Sequence, residues 1–261
     1  MIREREWVDR WSAFRHGDEE QRLFLDWVWP NDLETFRGKR VLDAGCGGGE
    51  HATLVASVAR EVVAADLNTS SLVRGRLADL GNVEVREADL LTVSPEDLGG
   101  PFDVVYSVGV LHHTDEPDRA FSNLVRHVKP GGAIIAWVYS AEGNSVARWL
   151  VEPARKLVLR KLSSRAVLGV SWGLTVPALA AMHTVYRLPL RSALPLYDYL
   201  RFQRTLSASR VASNVYDKLI APQTDFISRS RVEGWLVRDD LTAGHVSPYL
   251  GVSWRVSARK R

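Results

Sequence analysis

A single cysteine, Cys46, in 261 residues leaves no internal disulfide framework. That usage fits a reducing compartment, so a cytoplasmic location is expected. The seven histidines include no His-x-x-x-His pair and no Cys/His cluster, so no metal ligands are expected. The opening stretch MIREREWVDRWSAFRHGDEEQ alternates charge with aromatics and lacks the apolar core of a secretory signal, so none is expected. No internal repeat and no low-complexity tract is present.

What is there is ordinary in amount and uneven in arrangement. Hydrophobic residues make up 46% and charged residues 25%, as in soluble globular domains. The net charge of +3 conceals a split: residues 1–140 hold 15 Lys and Arg against 23 Asp and Glu, whereas 141–227 hold 12 against 5. Two parts of the chain therefore face different surroundings.

From residue 39 short β-rich runs alternate with helix-like segments. KRVLDAG (39–45), EVVAAD (61–66), VEVREAD (83–89), FDVVYSV (102–108) and AIIAWVYS (133–140) read as strands, rich in Val and Ile and bounded by turn residues. Before the last of these, Ala120, Leu124, Val125 and Val128 share a helical face, which Pro130 and two glycines are expected to stop. Strands spaced by helices predict a doubly wound α/β domain with a mostly parallel sheet covered on both faces. The alternation ceases after Ser140. GNSVARWLVEPARKLVLRKL reads as a basic amphipathic helix with Pro153 as a break, and AVLGVSWGLTVPALAAMHTVY (166–186) runs 21 residues without a formal charge. That run meets the crude length of a membrane span. A crossing there would separate the closing strands from their sheet, so a buried lid helix is expected, with peripheral membrane contact as the alternative. Ser230 and Glu233 predict a capped start for the last helix, and DDLTAGHVSP and GVSWRVSAR read as two closing strands.

The chemistry concentrates in VLDAGCGGGEH (41–51), where the first strand turns into the first helix. Gly45, Gly47 and Gly49 permit φ > 0 and close approach of a ligand, at the strand ends where doubly wound sheets bind ligands. A nucleoside triphosphate loop needs Gly-Lys-Ser/Thr, but Glu50 and His51 follow Gly49. Carboxylates at Asp43 and Glu50 repel a pyrophosphate and suit a ligand bearing an ammonium and a sulfonium. Asp66 closes the second strand, where a carboxylate accepts from ribose hydroxyls. Asp89 closes the third, where one accepts from an adenine amine.

In order, VLDAGCGGG, AADLN, EADLL, FDVVYSVGVLHH and VKPGG resemble the class I S-adenosylmethionine-dependent methyltransferases over residues 39–140. The resemblance implies a Rossmann-like seven-stranded sheet and S-adenosyl-L-methionine as cofactor, with S-adenosyl-L-homocysteine as product. It implies that the loop carrying Asp43, Gly45, Cys46, Gly47 and Gly49 holds the methionine part, that Asp66 holds the ribose and Asp89 the adenine amine, that Leu67 and Leu90 flank the adenine, and that Ser107 and Val108 offer backbone to the methionyl amine. The implied division is 1–38 as a helical segment over the cofactor, 39–140 with 228–261 as the α/β domain, and 141–227 as a helical cap for the substrate. His112 and His113, just past the fourth strand, are the candidate proton acceptors; His16 and Tyr216 are weaker ones. Cys46 reads as a small residue that fits its loop. The aromatics Trp7, Trp11, Phe14, Phe24, Trp27 and Trp29 are expected to pack at the sheet edge and over the cofactor.

The expected reaction is methyl transfer to a small molecule bearing a carboxylate or phosphate, or a lipid-like body. An RNA or protein acceptor, which the pI of about 9.1 permits, remains the alternative, beside a non-methylating use of the cofactor and a non-catalytic binding role. Nucleic acid is disfavoured because the insertion carries no compact nucleic-acid module; the oligomeric state is left open.

Overall fold

The computed structural model describes residues 18–67, 70–157, 159–191 and 193–261; Trp7, Trp11, Phe14 and His16 lie outside the described residues. Seven strands, β1 (Arg40–Ala44), β2 (Glu61–Asp66), β3 (Val83–Glu87), β4 (Phe102–Val108), β5 (Val128–Tyr139), β6 (Leu241–Tyr249) and β7 (Ser253–Lys260), form one sheet in the order β3-β2-β1-β4-β5-β7-β6. The first five are parallel and β7 runs antiparallel to both neighbours. The order reverses between β1 and β4, which opens a crevice at their carboxyl ends.

Alternate residues of each central strand face opposite layers. Leu42, Val63, Val105 and Ile134 pack under α4 (Pro117–Arg126) and α9 (Arg229–Leu236), with the Phe121 and Trp235 rings stacked at 4.8 Å. Val41, Val62, Val104 and Ile135 pack under α1 (Asp18–Val28), α2 (Glu50–Ala56) and α3 (Ser70–Leu77). Burial on both faces explains why these strands read as near-continuous Val and Ile runs.

Three local expectations are corrected. The helix before β5 ends at Arg126, ahead of Pro130, and residues 129–132 bulge out because Phe102 pairs with Val128 while Val104 pairs with Ala133. The last helix is capped by Ser228, which accepts from the Arg231 N–H; Glu233 binds Arg229 at 2.8 Å instead. The basic stretch after Ser140 is several short pieces: a π turn Ala147–Val151, α5 (Glu152–Leu157) and a 3-10 turn Leu159–Lys161.

Between β5 and α9 also lie α6 (Ser164–His183), α7 (Tyr197–Gln203) and α8 (Ala208–Ile220). Helix α6 packs on α8 through Val167, Ala212, Tyr216 and Leu219, and the Ser171 hydroxyl donates to the Ala212 carbonyl at 2.7 Å. Leu23 of α1 meets Met182 and Val211 in a second cluster, so the N-terminal helix and the insertion close over the crevice together. The buried-lid expectation for α6 is corrected: one seam, Val167, Ser171, Thr175 and Met182, is buried, and most of the remaining surface is open.

Candidate active site

The crevice holds a cavity of about 290 Å³, the scale of a small-molecule site. The chain turns into it at Gly45, Gly47 and Gly49, all with positive φ. A Cβ on Gly45 would lie 2.4 Å from Val110, and one on Gly49 would lie 2.5 Å from Val73, so the loop is as close to its supports as a glycine backbone permits. The Gly47 N–H donates to Asp66 Oδ2 at 3.0 Å. Asp66 therefore organises the loop as well as facing the cavity.

Of the residues expected around a nucleoside cofactor, Gly45, Cys46, Asp66, Leu67, Asp89, Leu90 and Val108 line the cavity. Asp89 is oriented by the Leu91 N–H, which donates to its Oδ1 at 2.9 Å. Asp43, Gly47, Gly49 and Ser107 lie behind the residues that line the wall. Gly49 starts α2. The Ser107 hydroxyl donates to the Ala44 carbonyl at 2.8 Å and ties β4 to β1. Asp43 is buried beneath the loop, and its Oδ2 finds no well-aligned hydrogen-bond partner. Burial raises its pKa to about 7, against the pull of His51 and the Tyr106 hydroxyl. Glu50 lines the cavity but is held by Arg76 at 2.9 Å, so its charge is already matched. Burial and the carboxylates of Asp43 and Asp66 push the Cys46 thiol far up, which keeps it protonated and unreactive.

The two histidines separate. His112 is fully buried, off the cavity wall, with Nδ1 accepting from the Tyr139 N–H at 3.4 Å. Burial, then His113 and Lys218, depress its pKa well below the ordinary value. Its expected proton-transfer role is corrected: it is a neutral packing residue, its ring 4.3 Å from that of Tyr139. His113 lines the cavity. Its Nδ1 lies 2.7 Å from the Gln223 carbonyl oxygen, which can only accept, so the proton sits on Nδ1 and the lone pair on Nε2. The Gln223 amide returns a bond to the His113 backbone carbonyl at 3.2 Å, which ties the two segments together. Tyr216, the weaker candidate, is buried in the α6–α8 packing rather than on the wall.

Several cavity residues are absent from the sequence-based set. Tyr139, at the end of β5, donates its hydroxyl to Asp217 Oδ2 at 3.1 Å. Arg210, Ser213, Asn214 and Asp217 come from α8, at the i, i+3, i+4, i+7 spacing of one helical face. This polar stripe in an insertion was the available signal. Glu20 of α1 bonds Arg210 and, at 3.0 Å, the His51 ring. Burial alone would depress the His51 imidazole, but Glu20, with Asp43 and Glu50 behind it, raises it. Beside Glu20, Glu50, Asp66, Asp89, Asp115 and Asp217, the wall has one guanidinium among the described residues, Arg210. Such a lining fits a cationic adenosine derivative and opposes a pyrophosphate. Among the described residues, no three His, Cys, Asp or Glu side chains group as a metal site.

Comparison with known proteins follows the same lines. Residues 42–136 match the methyltransferase domain family. The ubiquinone biosynthesis O-methyltransferase of Paracidovorax citrulli is 34% identical over 146 residues, which are 54% of this chain and 58% of that protein. The chain spans less than two thirds of the length of the curated relatives it matches. An O-methyltransferase family protein from Burkholderia thailandensis shares the fold with a TM-score of 0.53 at 17% identity, over 92% of this chain and 56% of that one. The magnesium protoporphyrin IX methyltransferase of Synechocystis PCC 6803, solved with bound SAH, gives 0.52 at 13% identity, over 98% and 93%. Domain match and strand order agree: residues 42–136 carry a methyltransferase domain, and the sheet around it is similar to that of the class I S-adenosylmethionine-dependent methyltransferases.

Proposed function

We propose that this chain transfers a methyl group from S-adenosylmethionine to a hydroxyl of a small-molecule acceptor in the cytoplasm. The observation that carries the reading is the two-sided cavity. Acidic strand ends around Gly45 and Cys46 form one side, and a tautomer-fixed histidine with a tyrosine–aspartate pair forms the other. When bound, S-adenosylmethionine supplies an electrophilic methyl group and is left as S-adenosylhomocysteine.

Asp66 and Leu67 at the end of β2, with Asp89 and Leu90 at the end of β3, would hold the adenosine; the backbone at Gly45, Cys46, Val108 and Gly109 would hold the methionine part. Asp43, Gly47, Gly49 and Ser107 support that wall from behind. His113 Nε2 would take the proton released by the acceptor hydroxyl, a step that contributes about 10²–10⁴-fold in general-base catalysis. Alignment in a closed site supplies the rest. An oxygen acceptor also agrees with the O-methyltransferase name of the P. citrulli relative. Arg210, shared with Glu20, would be the group that meets a carboxylate or phosphate on the acceptor. A recessed cavity of this size favours a small molecule over RNA or protein.

Calorimetric titration with S-adenosylhomocysteine and with NADH tests the cofactor site: heat is expected from the first alone. Transfer of labelled methyl groups to a panel of phenols, with and without carboxylates, tests the acceptor. Binding of S-adenosylhomocysteine with no transfer to any hydroxyl, but transfer to amines, would overturn the oxygen assignment.

A further inference from the structure

Exposed large apolar side chains concentrate in one region of the molecule. Of the fifteen exposed ones among the described residues, twelve fall within residues 146–190, including Trp149 at 75%, Leu150, Leu157, Trp172 and Val176. Helix α6 is the centre of this region. Its buried seam faces α8. Gly169, Trp172, Gly173, Val176 and Ala180, roughly opposite that seam, are all exposed and uncharged. A helix that is apolar all round is ordinarily buried all round, whereas a surface helix carries charge outward. Here the outward surface has the composition of a core, and among the described residues nothing covers it.

The charges sit at the margins. Residues 146–190 contain seven Lys and Arg and a single acid, Glu152, which binds Arg155 at 2.6 Å. Arg148, Lys161, Arg165 and Arg187 are exposed, before and after the charge-free run of 166–186. An apolar face bordered by exposed cations is complementary to a surface with an apolar interior and an anionic border. We propose that residues 146–190 form a docking face for an anionic lipid bilayer, lying in its interface with α6 parallel to the membrane plane.

The fold rules out a crossing although α6 is long and apolar enough for one. Strand β5 precedes it and β6 and β7 follow it, all in one sheet. Ser171 is tied to α8 through its hydroxyl, and α8 itself returns to the cavity, so the buried seam cannot face lipid. The helix lies on the membrane and does not span it.

The surface also has a direct connection to the chemistry. The α8 residues Ala212, Tyr216 and Leu219 pack toward α6, while Arg210, Ser213, Asn214 and Asp217 line the cavity. One helix therefore backs the docking face and forms the acceptor side of the site. A bilayer-resident acceptor would reach that side across a single helix thickness. The docking face goes beyond the proposed methyl transfer, and its test does not depend on it.

The full chain is centrifuged with vesicles of phosphatidylcholine alone and of phosphatidylcholine mixed with phosphatidylglycerol. Cosedimentation with the anionic vesicles is expected, weakening as salt is raised. The double variants Trp149→Glu/Leu150→Glu and Trp172→Glu/Val176→Glu should each lower partitioning by more than about tenfold, since each removes two large apolar groups from the interface. Both should keep the wild-type affinity for S-adenosylhomocysteine, which shows that the fold is intact. A wild-type chain that stays in the supernatant with anionic vesicles overturns the proposal. So does equal binding to both lipid compositions, or a stable dimer in sedimentation that the glutamate variants convert to monomer without any vesicle binding.

Discussion

Asp43 sets the pH dependence of stability in a direction opposite to that of most carboxylates. Its ordinary pKa is 3.8, and burial in the folded chain raises it to about 7. In the unfolded chain the proton is therefore released near pH 4, while the folded chain keeps it up to about pH 7. Unfolding between those values releases a proton, so stability falls as pH rises through the window and levels off above it. A shift of about three units at about 1.36 kcal/mol each amounts to roughly 4 kcal/mol across the window. Asp43→Asn presents a neutral isostere at every pH and should remove this component. His51, raised, adds a loss of the same sign at higher pH, whereas His112 and His127, both lowered, lose stability as pH falls. The difference between wild type and variant cancels the His112 and His127 contributions and leaves, of His51, only the part that Asp43 itself supplies, which has the same sign. Urea unfolding at intervals from pH 4 to pH 8 should show Asp43→Asn gaining on the wild type by several kcal/mol toward pH 8. A difference that stays flat within about 1 kcal/mol would refute the assignment of a protonated carboxyl beneath the glycine loop.

His113→Gln should lower kcat by about 10²–10⁴-fold while leaving S-adenosylhomocysteine affinity within about twofold, measured by single-turnover methyl transfer and calorimetry. His112→Gln should change the unfolding midpoint more than kcat, because that ring lies off the cavity wall. Gly131→Ala, at φ +76 with open space around it, should cost about 1–2 kcal/mol of backbone strain. Gly49→Ala, at φ +85 with Val73 2.5 Å from the new Cβ, should add about 1–3 kcal/mol of overpacking to that; equal midpoints in denaturant for the two would contradict the close loop packing. Arg210→Met removes the guanidinium paired with buried Glu20 and should destabilise by about 3–5 kcal/mol, with Glu20→Gln/Arg210→Met recovering part of the loss in a double-mutant cycle.

The cofactor half of the molecule was legible because its signals are local. Each strand from β1 to β4 is a short Val-rich run ending in a turn, and Asp66 and Asp89 mark the ends of β2 and β3 directly in the sequence. What sequence could not separate was wall from support. Asp43 alternates with Ala44 across one strand, and the pleat turns it under the loop rather than into the cavity. His112 and His113 are adjacent in the chain, yet one packs against Tyr139 while the other is presented by Gln223, a residue 110 positions away. Which of two neighbours faces a ligand depends on such distant partners. The cap of α9 failed for a similar reason: Ser228 and Ser230 are both competent, and the backbone is extended at Ser228.

The insertion was harder to read because two of its helices carry their signals in the reverse of the usual arrangement. Helix α8 hides polar residues: Arg210, Ser213 and Asp217 are buried yet polar, and a stripe that reads as solvent-facing is the stripe facing the cavity. Helix α6 exposes apolar residues, so a run that reads as core is largely surface. Burial of polar groups is tolerated only where partners meet them, and on α8 Tyr139 and Glu20 supply those partners from β5 and α1. Exposure of an apolar face has no such internal remedy, because the chain has no further described element to cover it. The two inversions thus call for different partners: a polar ligand against α8 inside the molecule, and an apolar medium against α6 outside it. A single insertion that meets both demands back to back would place the proposed acceptor side of the cavity one helix away from the proposed lipid-docking face.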